Sequence, residues 1–257
     1  MLKCLKYELY KITHSLTTII VFAILSLYNV VWACIGGDFG CGLELLKQYY
    51  GSSMLITVVL FSLFLCCPDY RSRYVKNIYM QTNKFAFIMA KFICALLFII
   101  TQIALTLGVS AIIFAAKKIK WYECFVMNGK ADNTVDGYIG MLALIFYSYV
   151  AAAMISIFFG TITRYEFICI PIAIIFIVFV EPELPVGLNA LVRKITGGPN
   201  KFDCSNLFLY GILSELQGTT SSAYKGAVKT CAIVMPAVYM VLSYLLAVLV
   251  AKKQKVK

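Results

Sequence analysis

Six long apolar stretches leave this chain few folds to adopt. A helix that crosses the hydrocarbon core of a bilayer needs ~20 mostly apolar residues. Lipid offers no hydrogen-bonding partner to the backbone, and the stretches lack the alternation of a transmembrane barrel, so each is predicted to be helical. The sequence therefore predicts an all-α polytopic membrane protein with six transmembrane helices. The stretches are Leu16–Ile35, Ser52–Cys67, Ile88–Ala115, Tyr138–Gly160, Phe167–Val180 and Thr230–Ala251.

The composition excludes a separate soluble domain. Of the 257 residues, 61% are hydrophobic and only 14% are charged, whereas a soluble domain has about 25% charged residues. Residues 1–257 are therefore predicted to form a single membrane domain. The formal net charge of +11 does not indicate a nucleic-acid partner, because the chain has no water-exposed domain on which to present a binding face.

The basic residues predict the orientation of the chain in the membrane. Lysine and arginine are enriched on the cytoplasmic side of membrane proteins. They are dense before the first stretch, between the second and third stretches and after the last, so both termini are predicted to be cytoplasmic. Lys117, Lys118 and Lys120 run against this rule, because they follow the third stretch on the assigned outer side. The longest outer loop, 181–229, contains apolar patches and is predicted to form short helices.

The sequence lacks the usual motifs of catalysis and of metal binding. It contains one histidine, His14, which excludes an H-E-x-x-H zinc site, and its Gly129-Lys130 pair lacks the other residues of a phosphate-binding P-loop. Three of the ten cysteines, Cys41, Cys124 and Cys204, lie on the assigned outer side. Their spacing leaves open whether two of them form a disulfide. We expect no catalytic residue, metal site or cofactor on this chain.

Residues 1–15 form the first of two amphipathic segments. Leu2, Leu5, Leu9, Ile12 and Leu16 recur at helical spacing, and Lys3, Lys6 and Lys11 flank this stripe. Such a helix is expected to lie along the lipid headgroups with its leucines in the acyl boundary. The alternative is a plain basic anchor for the first transmembrane helix.

Residues 69–84 form the second amphipathic segment. Tyr70, Tyr74 and Ile78 recur four residues apart, and basic residues occupy the other faces. Pro68 and Asp69 favour a helix start, since aspartate caps a helix and complements its positive end. We expect a short cytoplasmic helix whose aromatic face and basic rim bind a partner protein. An interfacial helix on anionic membrane lipid is the alternative.

Together these features resemble the permease subunit of a type-2 ATP-binding-cassette (ABC) exporter. The likeness is to the small six-span permeases of bacterial peptide-antibiotic export and immunity systems. It rests on Lys6-Tyr7-Glu8-Leu9-Tyr10-Lys11, on Asp69, on Lys76-Asn77-Ile78 and on Lys91. Just before its Lys-Asn pair the family usually has a glycine and a small hydroxyl residue, where this chain has Arg73 and Tyr74.

The resemblance implies that this chain works together with a separate ATPase chain. It implies a coupling helix at about Tyr70–Met80 that binds a separate ATPase, and a connecting helix at about Leu2–His14. ATP and magnesium would bind to that partner, and a second permease, identical or a sister chain, would complete the unit in the bacterial plasma membrane. The implied ATPase-coupling residues are Tyr70, Arg71, Arg73, Tyr74, Lys76, Asn77, Ile78 and Tyr79.

The implied substrate pathway lies between two permeases. We predict that polar residues on one face of the third stretch, with one from the first, line this pathway. The same residues could instead hydrogen-bond neighbouring helices, and the row Ala152, Ser156 and Gly160 is typical of helix packing. The predicted lining residues are Asn29, Thr101, Gln102, Thr106 and Ser110.

Three other functions fit a chain of this class. They are a stand-alone secondary carrier or channel, a membrane-embedded enzyme, and a non-transporting sensor or assembly subunit. An ion-coupled carrier needs ionisable residues inside its spans, and Glu181 is the only carboxylate next to the core of an apolar stretch. An exporter of a peptide antibiotic or of another amphiphilic compound is therefore the preferred interpretation, although the sequence does not name the substrate.

Overall fold

The protein is described by a computed structural model over residues 2–35, 52–71, 84–118, 135–163, 166–175, 181–196, 203–218 and 227–253. These residues are helical almost throughout and contain no strand, which confirms the all-α prediction. The helices are α1 (Leu2–His14), α2 (Leu16–Ile35), α3 (Ser52–Arg71), α4 (Lys84–Lys117), α5 (Val135–Thr163), α6 (Glu166–Ile175), α7 (Glu181–Thr196), α8 (Leu209–Gly218) and α9 (Ala227–Lys253), with a 3₁₀ turn at Cys204–Leu207.

A helix stands at each of the six predicted apolar stretches, but not every one has membrane length. Among the described residues, three segments are long and apolar enough to cross a bilayer: Lys84–Ile113, Leu142–Thr163 and Lys229–Lys252. The helical pair Leu2–His14 and Leu16–Val31 passes the same test with a 74° bend between its members. The apolar part of α3, Met54–Cys66, is shorter. The described residues thus contain three or four helices of membrane length, and six crossings stay a prediction.

Helix α5 is the centre of the bundle. It packs against α3, α4, α6, α8 and α9, and Tyr149, Ala151, Ala153 and Ile157 on it are fully buried. Small side chains let helix backbones approach closely where lipid replaces water as the solvent. At Gly160 the approach is so close that an added Cβ would lie 2.6 Å from the Cβ of Cys66 on α3.

Several helix ends meet at one end of the bundle, which we call the lysine end after Lys11, Lys84 and Lys91. Lys11 Nζ and Lys91 Nζ both donate to the Leu65 carbonyl, at 3.0 and 2.7 Å. Lys84 Nζ donates to the Ala251 carbonyl at 2.6 Å. These contacts, with that of Gly160 against Cys66, bring together the starts of α2 and α4 and the ends of α3, α5 and α9. The helices α2 to α5 therefore alternate in direction, and α9 runs in the same direction as α5.

The region around Asp69 differs from its prediction. Pro68 and Asp69 lie inside α3, which continues to Arg71, so no new helix begins there. A proline inside a soluble helix removes a hydrogen bond and strains the preceding turn, but membrane helices tolerate it because neighbouring groups satisfy the freed carbonyl. The rest of the predicted coupling segment, 72–83, lies outside the described residues.

The short helices expected in 181–229 are present. They are α7, the 3₁₀ turn and α8, and α8 packs against α5 and α9. Tyr239 Oη on α9 donates to the Leu207 carbonyl at 2.7 Å and so fastens the turn to the bundle. Cys204 carries a free thiol, and Cys41 and Cys124 lie outside the described part of the chain.

Candidate functional site

A buried ion pair joins the N-terminal helix to the bundle at its lysine end. Glu8 Oε1 lies 2.9 Å from Lys91 Nζ, and both side chains are 0% exposed. Lys11 Nζ lies 3.6 Å from Glu8 Oε2. Removing one partner of a buried pair typically costs ~3–5 kcal/mol, because it leaves a buried charge uncompensated. We call Glu8, Lys11, Lys91 and the Leu65 carbonyl the charged cluster.

The two lysines of the charged cluster balance the charge of the Glu8 carboxylate. Across the described ranges, no further hydrogen bond reaches either Glu8 oxygen. Lys91 also lies 4.6 Å from the centroid of the Phe87 ring, which stabilises its ammonium group. The ion pair therefore fixes the position of α1 against α4, which carries Lys91. The Leu65 carbonyl of α3 binds both lysines and so holds α3 at the same place.

Helix α1 departs from a soluble amphipathic helix, which buries its apolar stripe and exposes its charges. Its Cys4 and Glu8 are buried, while Lys3 and Lys6 are exposed. In its apolar stripe, Leu2 is 82% exposed and Leu9 is exposed, whereas Leu5 and Ile12 are half-buried against the core. The predicted position of this helix along the lipid headgroups stays a prediction.

Two of the eight predicted coupling residues lie at the end of a described range, and the other six lie outside the described ranges. Tyr70 and Arg71 belong to the last turn of α3, and their side chains are not described. Arg73, Tyr74, Lys76, Asn77, Ile78 and Tyr79 all lie within residues 72–83, outside the described ranges.

The helix ends on both sides of residues 72–83 are fastened to other helices. Before them, the Leu65 carbonyl of α3 accepts from the two lysines of the charged cluster. After them, Lys84 binds the Ala251 carbonyl at the C-terminal end of α9, where the free carbonyls of a helix favour a cation. Lys252 lies 4.9 Å from the Phe85 ring centroid and adds a second contact between α9 and α4.

An aromatic layer separates the charged cluster from the next polar group. Phe61 and Phe98 stack with their ring centroids 3.9 Å apart, and Phe22 meets Phe98 edge-on at 5.5 Å. Along α4, Phe98 lies ~10 Å from Lys91 at a rise of 1.5 Å per residue. The three rings, one each from α2, α3 and α4, thus fill the space between these helices next to the ion pair.

Beyond the aromatic layer, four polar side chains join the same three helices. Asn29 Nδ2 donates to Gln102 Oε1 at 3.0 Å and to Thr57 Oγ1 at 3.2 Å. Gln102 Nε2 donates to Ser26 Oγ at 2.7 Å. We call Ser26, Asn29, Thr57 and Gln102 the amide cluster. Its bonds run between helices, which is the role that the sequence left as the alternative to a pathway.

The predicted pathway residues divide into two groups. Asn29, Gln102, Thr106 and Ser110 are buried within the chain, and Thr106 Oγ1 donates to the Gln102 carbonyl. Thr101 is exposed and bonds to the Phe98 carbonyl of its own helix at 2.8 Å, so it does not share their face. Successive residues of a helix point 100° apart, and this angle already separates Thr101 from Gln102.

Two features of the site were missed in the sequence. The first is the partner of Lys91, although a lysine inside an apolar stretch signals a counter-charge and Glu8 was available. The second is the pair of hydroxyls in the amide cluster. Ser26 lies one helical turn before Asn29 and could have been found from that spacing, whereas Thr57 comes from another helix and gives no local signal.

A second polar cluster lies in the 181–218 region. Asp203 Oδ1 accepts from Ser205 N at 2.9 Å, from Asn189 Nδ2 at 2.6 Å and from Ser205 Oγ. Asn189 Oδ1 in turn accepts from Cys204 N at 3.0 Å. The hydrogen bonds from Ser205 and Asn189, together with nearby Arg193, lower the pKa of Asp203. The carboxylate caps the 3₁₀ turn and ties it to α7.

No group of three or more histidine, cysteine or acidic side chains in the described residues could hold a metal ion. Comparisons with models of known protein families, with curated proteins and with solved structures found no match to this chain.

Proposed function

We propose that this chain is the membrane permease subunit of a type-2 ABC exporter in a bacterial plasma membrane. It would move a peptide antibiotic or another amphiphilic compound out of the cell or out of the bilayer. A separate ATPase chain would supply ATP hydrolysis with magnesium, and a second permease, identical or a sister chain, would complete the pathway. Membrane lipid would surround the apolar helix faces and the leucine stripe of α1.

One observation carries the proposal. The resemblance rests on motifs that lie far apart in the sequence, at Lys6–Lys11 and at Lys91, and these motifs meet in the 2.9 Å contact between Glu8 and Lys91. The near-perpendicular packing of α1 against α2 also supports it, because a connecting helix has to lie along the membrane surface while its neighbour crosses the bilayer.

The proposed mechanism is a rigid-body switch between two states. Closure of the ATPases around ATP would push the coupling segments, and the long helices would change from inward to outward access. The lysine end is the cytoplasmic end in this proposal, because basic residues favour that side. The described helix ends around residues 72–83 are fastened to α1 and α9, so a push there would reach most of the bundle.

Co-purification from the native host tests the proposal. The tagged chain, solubilised from its own membrane, is expected to bring a stoichiometric ATPase subunit with it. The variant R71A/Y74A/K76A should lose that ATPase, because it removes part of the predicted coupling surface. Lys194→Ala is the matched control, since Lys194 is an exposed lysine at the end of α7, on the proposed outer side. A chain that purifies as a stable oligomer without an ATPase would contradict the proposal.

The buried ion pair also favours a second candidate, an ion-coupled carrier. Lys91 lies in a helix of membrane length and pairs with a buried carboxylate, and ionisable groups in such positions often mark ion pathways. A carrier should move protons in vesicles that contain the chain alone, without ATP. Such flux, detected with an internal pH-sensitive dye and lost in Glu8→Gln, would favour the carrier over the permease.

A further inference from the structure

Helix α1 carries one fully buried charge, Glu8, which contacts the bundle. Cys4, the other buried residue of this helix, is a small side chain that packs without charge. Leu5 and Ile12 are half-buried against the core, whereas Leu2 and Leu9 are exposed. The ion pair of Glu8 with Lys91 and the bond from Lys11 to Leu65 are therefore polar contacts on which the position of α1 depends.

We infer that Glu8 is a positioning residue, whose ion pair with Lys91 fastens α1 across α3 and α4 so that α1 moves with them as one body. This inference rests on the proposed function, because it assigns Glu8 the step that carries movement from the cytoplasmic ends of α3 and α4 to α1. Glu8 touches neither nucleotide nor substrate in this role.

The geometry explains why this contact can transmit a movement. Both lysines of the charged cluster share one acceptor, the Leu65 carbonyl, so a shift of α3 displaces the cations on α1 and on α4 together. A buried ion pair resists separation, since either charge alone would stay uncompensated in a low-dielectric environment.

The variants must separate positioning from simple loss of folding. Glu8→Gln keeps the side-chain shape but leaves Lys91 buried without a counter-charge. E8Q/K91M removes both charges, so it should fold while lacking the fastening. Lys6→Met is the matched control, because Lys6 is an exposed lysine on the same helix. Exchange of the two charges is unsuitable, since a carboxylate at position 91 would face the Leu65 carbonyl.

Hydrogen exchange of the full chain in lipid nanodiscs measures the fastening directly. In E8Q/K91M the amides of residues 2–14 should exchange at least about tenfold faster than in the wild type, because α1 opens without its ion pair. The amides of α5 should be unchanged. Lys6→Met should match the wild type throughout. Unchanged protection of residues 2–14 in E8Q/K91M would overturn the inference.

Exchange in the complex with its ATPase measures the transmission. Trapping the wild-type complex with ATP and vanadate should alter exchange in both α1 and α4. In E8Q/K91M the response of α4 should persist and that of α1 should disappear. A persisting response in α1 would overturn the inference and leave the proposed function intact. A wild-type chain that binds no ATPase would instead overturn the proposed function, and the inferred transmission step with it, while exchange of residues 2–14 would still report whether Glu8 fastens α1.

Discussion

At the scale of single residues, Gly160 is a position where one added carbon would meet a neighbouring helix. An alanine Cβ there would lie 2.6 Å from the Cβ of Cys66, which forces α3 and α5 apart. We expect Gly160→Ala to lower the free energy of unfolding by ~1–3 kcal/mol, the usual cost of overpacking a core. Thermal unfolding of the purified chain in detergent measures the loss.

Two variants make the Gly160 prediction specific. Gly140→Ala lies on the same helix with open space around it, so it should leave stability unchanged or raise it by up to about 1 kcal/mol through helix propensity. Adding Cys66→Ala to Gly160→Ala should not restore stability, because alanine keeps the clashing Cβ. Equal effects of the two glycine substitutions would contradict the close packing.

The lowered pKa of Asp203 predicts that the packing of the 181–218 region changes at acidic pH. Hydrogen bonds from Ser205 and Asn189 lower its pKa in the folded chain below the ordinary value of 3.8. The stabilisation is therefore complete above about pH 4, and it is lost as the pH falls below 3.8 and through the lower folded pKa. Acidification should release the 3₁₀ turn from α7 and expose the half-buried Cys204 thiol.

Labelling with 4,4′-dithiodipyridine, which reacts with thiols at low pH, measures this exposure. The signal of Cys204 is the difference between the wild type and Cys204→Ser. In Asp203→Asn the thiol should react faster at neutral pH, and its reactivity should lack the acid step because no carboxylate titrates there. An acid step that persists in Asp203→Asn would assign the effect to another group.

At the scale of elements, the amide cluster predicts how strongly α2, α3 and α4 are joined. Gln102→Met keeps the side-chain size but removes the bonds to Asn29 and Ser26. Bonds between membrane helices contribute ~0.6 kcal/mol on average and up to ~1.7 kcal/mol. We expect a loss of about 1 kcal/mol in a detergent-titration unfolding assay.

The neighbouring threonine is the control for the amide cluster. Thr101 is exposed and bonds only to its own helix, so Thr101→Val should change stability by less than about 0.5 kcal/mol. The double variant N29L/Q102M should lose less than the sum of its single variants, because each single variant leaves a partner unpaired. Additive losses would show that the two amides act independently.

The helices were largely predictable from the sequence, because the length of an apolar stretch and the helical period are local properties. The predicted first span, Leu16–Ile35, has the observed bounds of α2. The third begins earlier than predicted, at Lys84 instead of Ile88, and the Lys84 ammonium binds the end of α9. The predicted helix start at Asp69 was wrong, because a capping preference did not outweigh the continuing helix of α3.

The site was less predictable, because its contacts join residues that are distant in sequence. Nothing in the local pattern around Glu8 marks it as buried, and its charge favoured a solvent-facing position. Its burial follows from the cations that α4 and its own next turn present to it. The amide cluster likewise needs three helices in register, which neither the polarity of Asn29 nor that of Thr57 specifies.

At the scale of the whole molecule, the directions of the long helices place their ends on defined sides of the bundle. The starts of α2 and α4 and the ends of α3, α5 and α9 share the lysine end, whereas α7 and α8 fall between α6 and the start of α9 in the chain. Six crossings of a membrane would put the lysine end in the cytoplasm and α7 outside, because the basic residues of the termini are retained on the cytoplasmic side.

Labelling of whole cells tests this arrangement. A membrane-impermeant maleimide should add one label to Lys194→Cys, relative to the parent chain, in intact cells. It should add one label to Lys6→Cys only after the membrane is permeabilised. Both positions are exposed lysines, so the comparison depends on sidedness and not on burial. Labelling of both positions from outside would mean an even number of crossings between α1 and α7, and would remove the cytoplasmic lysine end on which the proposed ATPase contact depends.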